Sequence, residues 1–498
     1  MKARTGSARS STTGLAAVAA LAVAVSSLHA AEDRDPVIPA DILLRLAPGT
    51  SLESVVAALA PLAPKLEVAD QIPNRPIHLL RYEAEGPEPS PELELALEAL
   101  VVGGTLTWAE FGYEAQTGEG RTDSLWVTGV GLGQDAYRGQ FARDLLGLPA
   151  AHAMTHGAGV MVAVIDSGLD TTHPVVAGPM APGVDLVDAL PAIGDPADGI
   201  DNDGDGLIDE MAGHGTFVAS LVRLVAPDAT LLPIRILDTE GRTSVYLMAK
   251  GIAAAIDGGA QVINMSVGTT YDSIALEDLV DEAVDSGIVL VASIGNLDRE
   301  APEEYPAADG GAFGVVATSP SDVRANFSNF GGFAAVAAPG TVAFRGKAGL
   351  DPQASVLGAV PGGGVGGWAG TSFATAFVSG GAALVRSRHP EWPNAEVPLE
   401  DLSDAVMDLL LSTAVPIDAL NPGFEGMLGT GRLDVAAAVA IGPPANPADL
   451  DGSGEVDGGD LAILLASWGA CTDCEADLDD SGAVDGGDLA VLLAAWMG

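Results

Sequence analysis

Four residues far apart in the chain are of types that could share one reaction. Ser372 stands in Gly370-Thr371-Ser372-Phe373-Ala374-Thr375. The chain before it is rich in glycine. After it come alanine, valine and leucine, ending in Arg386, Arg388, His389 and Pro390. That pattern predicts a helix with a basic last turn and a proline stop, the hydroxyl lying at its start. A serine there is ordinarily a cap. It becomes a candidate nucleophile only in company. Asp166 follows the apolar run 160–165 and precedes Ser167-Gly168. A carboxylate at the end of a buried strand can accept a hydrogen bond from an imidazole and hold its tautomer. His214 lies between Gly213 and Gly215 at the start of an apolar run. Asn296 follows Ser293-Ile294-Gly295, where an amide could donate to a developing oxyanion. Singly, these read as a turn aspartate, a structural histidine and a turn amide. In the order acid, imidazole, amide, hydroxyl they match one of the known orders of the serine triad.

The elements that must position them read as α/β. The runs 160–165, 261–265 and 288–292 are short, branched and apolar, and 243–257 and 274–286 have the length and pattern of crossover helices. This alternation predicts a mainly parallel sheet covered on both faces, with ligands gathering beyond the carboxyl ends of its strands. Upstream, residues 38–116 predict a small α+β unit. Its strands are 41–46, 77–82 and 105–111, and its helices 52–59 and 91–100.

Composition narrows the partners. The chain has 498 residues, with 68 Asp+Glu against 22 Lys+Arg and a formal charge of -46. Repulsion argues against nucleic acid and anionic membrane and favours cation binding. Two cysteines cannot frame a fold. Lys2, Arg4 and Arg9, an apolar run over 14–25 and the small residues before Ala31 predict a secretory signal over 1–30. A membrane anchor is the alternative, but the run is short for a bilayer. Residues 438–448 are a Pro/Ala linker, and 449–498 hold two similar halves offset by 28 residues.

The motifs VAVIDSGLDTTHP, GHGTFVAS, VAPDATLLPIRIL, INMSVG, VASIGN, FSNFGG and GTSFATAFVSG occur in register. Over residues 121–437 the chain resembles subtilisin-like serine peptidases. The resemblance implies a three-layer fold around a mainly parallel seven-stranded sheet. It implies that His214 takes the proton of Ser372, that Asp166 orients the imidazole, and that Asn296 and the Ser372 N–H hold the oxyanion. It also implies that Ser266, Val267 and Gly268 pair with substrate and line the first specificity pocket, opposite Ser293, Ile294 and Gly295. The unit at 38–116 then reads as an inhibitor-like pro-domain. Three positions depart from the family pattern: Phe217 replaces a second histidine, Ser220 a glycine and Ala376 a proline. The loop after the histidine helix is very short, so a calcium site built there in relatives is expected to be missing.

Two regions suggest Ca2+. Asp201, Asp203, Asp205 and Asp209 alternate before a glycine turn, although position twelve of that loop is Ala212 instead of an acid. The carboxyl-terminal halves carry Asp449, Asp451, Ser453, Asp457 and Asp460, then Asp477, Asp479, Ser481, Asp485 and Asp488. Each is followed by a helix with an expected apolar face, Leu461, Leu464, Leu465 and Trp468, echoed by Leu489, Leu492, Leu493 and Trp496. This all-α double calcium-loop module resembles a type I dockerin, which implies a cohesin-type scaffold or cell-surface partner; the alternative is a small stabilising or sorting module. Cys471 and Cys474 could form a local disulfide or remain thiols. The expected protein is a secreted or extracellular monomeric serine endopeptidase, made as a precursor and acting on polypeptides. It has no membrane span after signal removal. The alternatives are a catalytically silent surface adhesion or scaffold component, and an intracellular hydrolase whose leader is misread.

Overall fold

A computed structural model describes residues 35–121, 128–188, 194, 197–201, 206–346, 349–442, 448, 450, 456–470, 474, 476–479 and 481–496. Its centre is a seven-stranded parallel sheet. Across the sheet the strands run Ala334–Pro339, Ala312–Thr318, Val289–Ser293, Val262–Met265, Met161–Asp166, Thr230–Arg235 and Val184–Asp185. Branched and small apolar residues fill it because both faces are buried. Val162 and Val164 face the core beneath helices His214–Val225 and Thr371–Arg388. Ala163 and Ile165 face the core beneath Val245–Asp257 and Ile274–Asp285. This is the period-two alternation of a strand covered on both sides. The first strand, Met161–Asp166, sits mid-sheet, and the chain leaves it in opposite directions to Thr230–Arg235 and Val262–Met265. The switch point therefore lies beside Asp166, where ligand crevices form in such sheets.

Residues 37–116 form an antiparallel sheet with helices Leu52–Leu59 and Pro91–Val102 around a shared apolar cluster. Ser51 and Ser90 cap these helices, as their sequences suggest. The strand Glu67–Gln71 is absent from the sequence reading because it is almost wholly exposed and shows no apolar alternation. The last strand runs Leu106–Gln116, five residues past its expected end. Its extension comes from pairing with Arg242–Ser244, which belongs to the large unit.

At the carboxyl end, helices Gly458–Ala466 and Gly486–Trp496 meet over Leu464, Val484 and Leu492. The expected four-residue face is narrower than supposed. Leu465, Trp468, Leu493 and Trp496 are exposed, and Leu461 and Leu489 are half-buried. Two short helices packed on one another can each cover only one stripe. Cys474 is disulfide-bonded. Among the described residues, no helix is long and apolar enough to cross a membrane.

Candidate active site

Each expected catalytic group lies at the end of an element. Asp166 is the last residue of its strand and is buried. His214 opens its helix behind Gly213, whose φ of 91° a side chain would disfavour. At Gly215 a β-carbon would run into the Gly168 carbonyl, so this glycine lets the helix start press against the strand end. His214 Nδ1 then donates to Asp166 Oδ1 at 2.7 Å. Trp368, Phe373 and Phe217 surround the pair, with Trp368 edge-on to the imidazole at 5.4 Å between ring centres. Phe217 thus serves as packing where a second histidine was expected. The Ser220 hydroxyl donates to the Phe217 carbonyl and accepts from the Ala359 N–H.

Ser372 is the second residue of Thr371–Arg388, and the helix runs unbroken through Ala376. Ser266 Oγ donates to the Ser372 carbonyl at 3.1 Å. Asn296 follows the strand Val289–Ser293. Its Oδ1 accepts from both the N–H and the hydroxyl of Thr371 at 2.9 Å. That fixes the amide so that Nδ2, buried and without a hydrogen-bond partner among the described residues, faces Gly118. An unsatisfied buried donor of this kind calls for an explanation, and a donor reserved for an oxyanion is one. The structure therefore brings Asp166, His214, Asn296 and Ser372 into one place. Ser266, Val267, Gly268, Ser293, Ile294 and Gly295 are all buried, and Glu304 lies against both Gly268 and Gly295.

Glu119, not expected from the sequence, joins the site. Ser372 Oγ donates to Glu119 Oε2 at 2.7 Å, and the same oxygen is 3.4 Å from His214 Nε2. All three side chains are fully buried. Burial alone would push the imidazole down, but Asp166 and Glu119 outweigh it and lift His214 to about 10. Burial likewise opposes the Glu119 charge, yet His214 and the Ser372 hydroxyl hold this carboxyl below its ordinary value. The segment carrying Glu119 lies in the cleft as an added strand. Gln116 exchanges hydrogen bonds with Gly268 at 3.0 and 3.2 Å, and the Thr117 N–H donates to Gly241 O at 2.9 Å. Only the lone acid between Gly118 and Gly120, just past the predicted amino-terminal unit, could have signalled it.

Of the expected metal ligands, Asp477, Asp479 and Asp488 bring carboxylate oxygens within 4.8 Å of one another, forming an acidic cluster able to coordinate a divalent cation. Ser481 stands beside them, its N–H on Asp477 and Asp479 and its hydroxyl on Ala483 O. Asp485 accepts from the Gly487 N–H. In the first repeat Asp457 and Asp460 form a capping box at the start of their helix. Asp209 accepts from the N–H groups of Asp198 and Gly199, and Asp201 from that of Gly206. Asp203, Asp205, Asp449, Asp451 and Ser453 lie outside the described residues.

A fold with an acid, an imidazole and a buried serine at its switch point defines a class of hydrolase, and comparison with known proteins says which. The subtilase family profile matches residues 157–434, so the chain belongs to the subtilase family. It is 35% identical to subtilisin E of Bacillus subtilis over 303 residues, covering 58% of this chain and 68% of that protein. It is 30% identical to thermitase of Thermoactinomyces vulgaris over 277 residues, covering 54% and 89%. A solved protease structure from Pseudoalteromonas arctica superposes with a TM-score of 0.50 at 28% identity, covering 59% of this chain and 93% of that one. The chain is thus a serine-type endopeptidase that hydrolyses peptide bonds by a Ser-His-Asp mechanism.

Proposed function

We propose that Ser372 is the nucleophile, His214 its general base and then acid, and Asp166 the group that orients the imidazole. Asn296 Nδ2 and the Ser372 N–H hold the oxyanion. Attack on the substrate carbonyl releases the amine and leaves an acyl-enzyme, which water hydrolyses. The observation that carries this assignment is the convergence of Asp166 Oδ1 on His214 Nδ1, with His214 Nε2 and Ser372 Oγ both turned to one carboxylate oxygen. Residues 266–268 and 293–295 would bind the substrate main chain, as 266–268 already binds Gln116. Ser372→Ala should abolish hydrolysis of casein and peptides, and a fluorophosphonate should label Ser372 in the parent protein alone. Unchanged hydrolysis by pure Ser372→Ala protein would remove the assignment.

The amino-terminal unit acts in this reading as an inhibitory pro-segment of a secreted precursor. Its contacts support that role. Trp108 Nε1 and Arg45 meet Asp278, Arg75 meets Glu282 and Asp257, and Glu110 accepts from Ser273 and from the first N–H groups of Ile274–Asp285. Glu110 thereby satisfies the first N–H groups of that helix on docking. Glu119 then closes the centre by holding Ser372 and pairing with His214. Cleavage near residues 115–125 and release of the segment would free it.

The carboxyl-terminal module would hold Ca2+ through Asp477, Asp479 and Asp488, with Ser481 and Asp485 close by. An all-oxygen, carboxylate-rich donor set fits that hard cation. Calcium would supply folding energy to a unit with a small core and take no part in the chemistry. The exposed Trp468, Leu493 and Trp496 would suit a cohesin-like partner that attaches the enzyme to a scaffold or cell surface.

A further inference from the structure

The floor of the first specificity pocket has no marker in the sequence. In the structure the carboxylate of Glu304 occupies it. A β-carbon built on Gly268, on one wall, would lie 2.9 Å from Glu304 Oε2. One built on Gly295, on the opposite wall, would lie 2.8 Å from Glu304 Cγ and 3.1 Å from Oε1. Glu304 therefore bridges the two walls at the places where both lack side chains. The pairing of Thr269 with Tyr305, N–H to carbonyl in both directions, fixes the next residue and so sets its depth.

This carboxylate is 2% exposed, and its Oε1 accepts no hydrogen bond among the described residues. Arg299 Nη2 is 3.6 Å from Oε1, beyond a good hydrogen bond. A buried carboxylate so incompletely satisfied is costly unless a cation joins it. One does, from the segment already lying in the cleft. The Arg121 guanidinium reaches to 3.8 Å from Glu304 Oε2 and donates to the Gly268 carbonyl at 2.9 Å. Its other partner is Asp35, on the same amino-terminal unit. When that unit leaves, Glu304 loses this cation and keeps only the distant Arg299.

We propose that Glu304 makes this pocket select a basic side chain, arginine or lysine, on the substrate residue before the cleaved bond. The proposal rests on the peptidase assignment above. Arg121 acts as the internal stand-in for such a side chain. The planar guanidinium suits the site because it can face Glu304 and the Gly268 carbonyl together. A formal charge of -46 further favours the approach of cationic substrates.

The test uses the processed protein, expressed as the full-length chain and collected after release of the amino-terminal unit, and tetrapeptide p-nitroanilides differing only in the last residue: Arg, Lys, Leu or Phe. Arg and Lys substrates should exceed Leu and Phe by about tenfold or more in kcat/KM. Glu304→Gln should reduce the Arg-to-Leu ratio by roughly 30- to 100-fold, and Glu304→Asp should retain most of the preference. Fluorophosphonate labelling of Ser372 in each variant checks that the site still forms. Preference for Leu or Phe in the parent, or an unchanged ratio in a labelled Glu304→Gln variant, overturns this proposal and leaves the peptidase assignment standing. Absence of both labelling and hydrolysis in the parent overturns the assignment itself.

Discussion

Replacing Glu119 by glutamine should unlock the precursor. Glutamine keeps the shape and can still accept from Ser372, but it removes the charge facing His214 Nε2 at 3.4 Å. The rise of His214 from 6.5 to about 10 corresponds to about 5 kcal/mol in favour of the imidazolium. Asp166 at 2.7 Å supplies the larger part and remains in the variant. A share of about 2 kcal/mol for Glu119 agrees with the usual worth of a hydrogen bond to a charged group, and it equals roughly 30-fold in the closed-to-open ratio. The assay is the rate at which a fluorophosphonate labels Ser372 in the uncleaved full-length chain, read by intact mass. At pH 7.5 the variant should label roughly 10- to 100-fold faster than the parent.

The pH dependence gives a second reading of the same contact. The imidazole pKa is raised, in part by Glu119, so this contact's contribution to the closed state is lost as pH rises through about 10. The Glu119 pKa is lowered, so its contribution is present above 4.5 and is lost only as pH falls through the depressed value. The closed pair therefore persists from mildly acidic pH to about 10, and labelling of the parent should climb on the alkaline side. In Glu119→Gln the climb should begin closer to neutrality. Equal labelling rates at pH 7.5 together with coincident pH profiles would refute the idea that Glu119 holds the site shut.

Three further outcomes are expected. Asn296→Ala should lower kcat by about 10²- to 10³-fold with little change in KM, measured on the peptide substrate that the parent cleaves best. Burial pushes Glu110 up to about 7, while Ser273 and the backbone N–H groups it caps oppose that rise. Docking of the amino-terminal unit should therefore be strongest below pH 4.5 and weaken by about 3 kcal/mol by pH 7, with the slope absent in Glu110→Gln; co-elution of the cleaved unit across pH checks this. In the Ser372→Ala background, calcium titration calorimetry should show binding that Asp488→Asn weakens, because Asp488 also accepts the N–H groups of Leu478, Asp479 and Asp485. Equal calcium affinity in the two proteins would remove the cluster as the site.

The central sheet was legible because burial on both faces writes itself into the chain as short branched runs. The runs at 160–165, 261–265 and 288–292 each became a strand to within a residue or so. The catalytic groups were legible for a related reason: close approach at a switch point demands small neighbours, and Gly213, Gly215 and Gly295 mark where His214 and Asn296 must stand. Elements that owe their existence to partners left no such trace. Glu67–Gln71 is a strand only because Ile77–Arg81 offers it an edge. Residues 112–116 are extended only because Arg242–Ser244 and Gly268 receive them.

The two acids unreadable from sequence, Glu119 and Glu304, share one physical property. Each takes its meaning from a contact with a segment more than a hundred residues away: Ser372 for Glu119, and Arg121 for Glu304. No periodicity encodes such a contact, since a carboxylate in a loop is indistinguishable from a solvated one until the fold buries it. Their placement also links them. Glu119 shuts the reacting end of the cleft while Arg121, two residues on, neutralises the acid at the pocket floor. The same short turn thus satisfies both of the charges that an open cleft would expose: the imidazolium beside Ser372 and the carboxylate beneath Gly268. Removing either contact alone leaves the other to hold the segment, so Glu119→Gln should raise labelling while the amino-terminal unit still co-elutes. The pair Glu119→Gln with Arg121→Ala should raise labelling further, while Arg75, Trp108 and Glu110 still dock the unit. If the single Glu119 change already labels as fast as the pair, the two charges do not hold the segment independently.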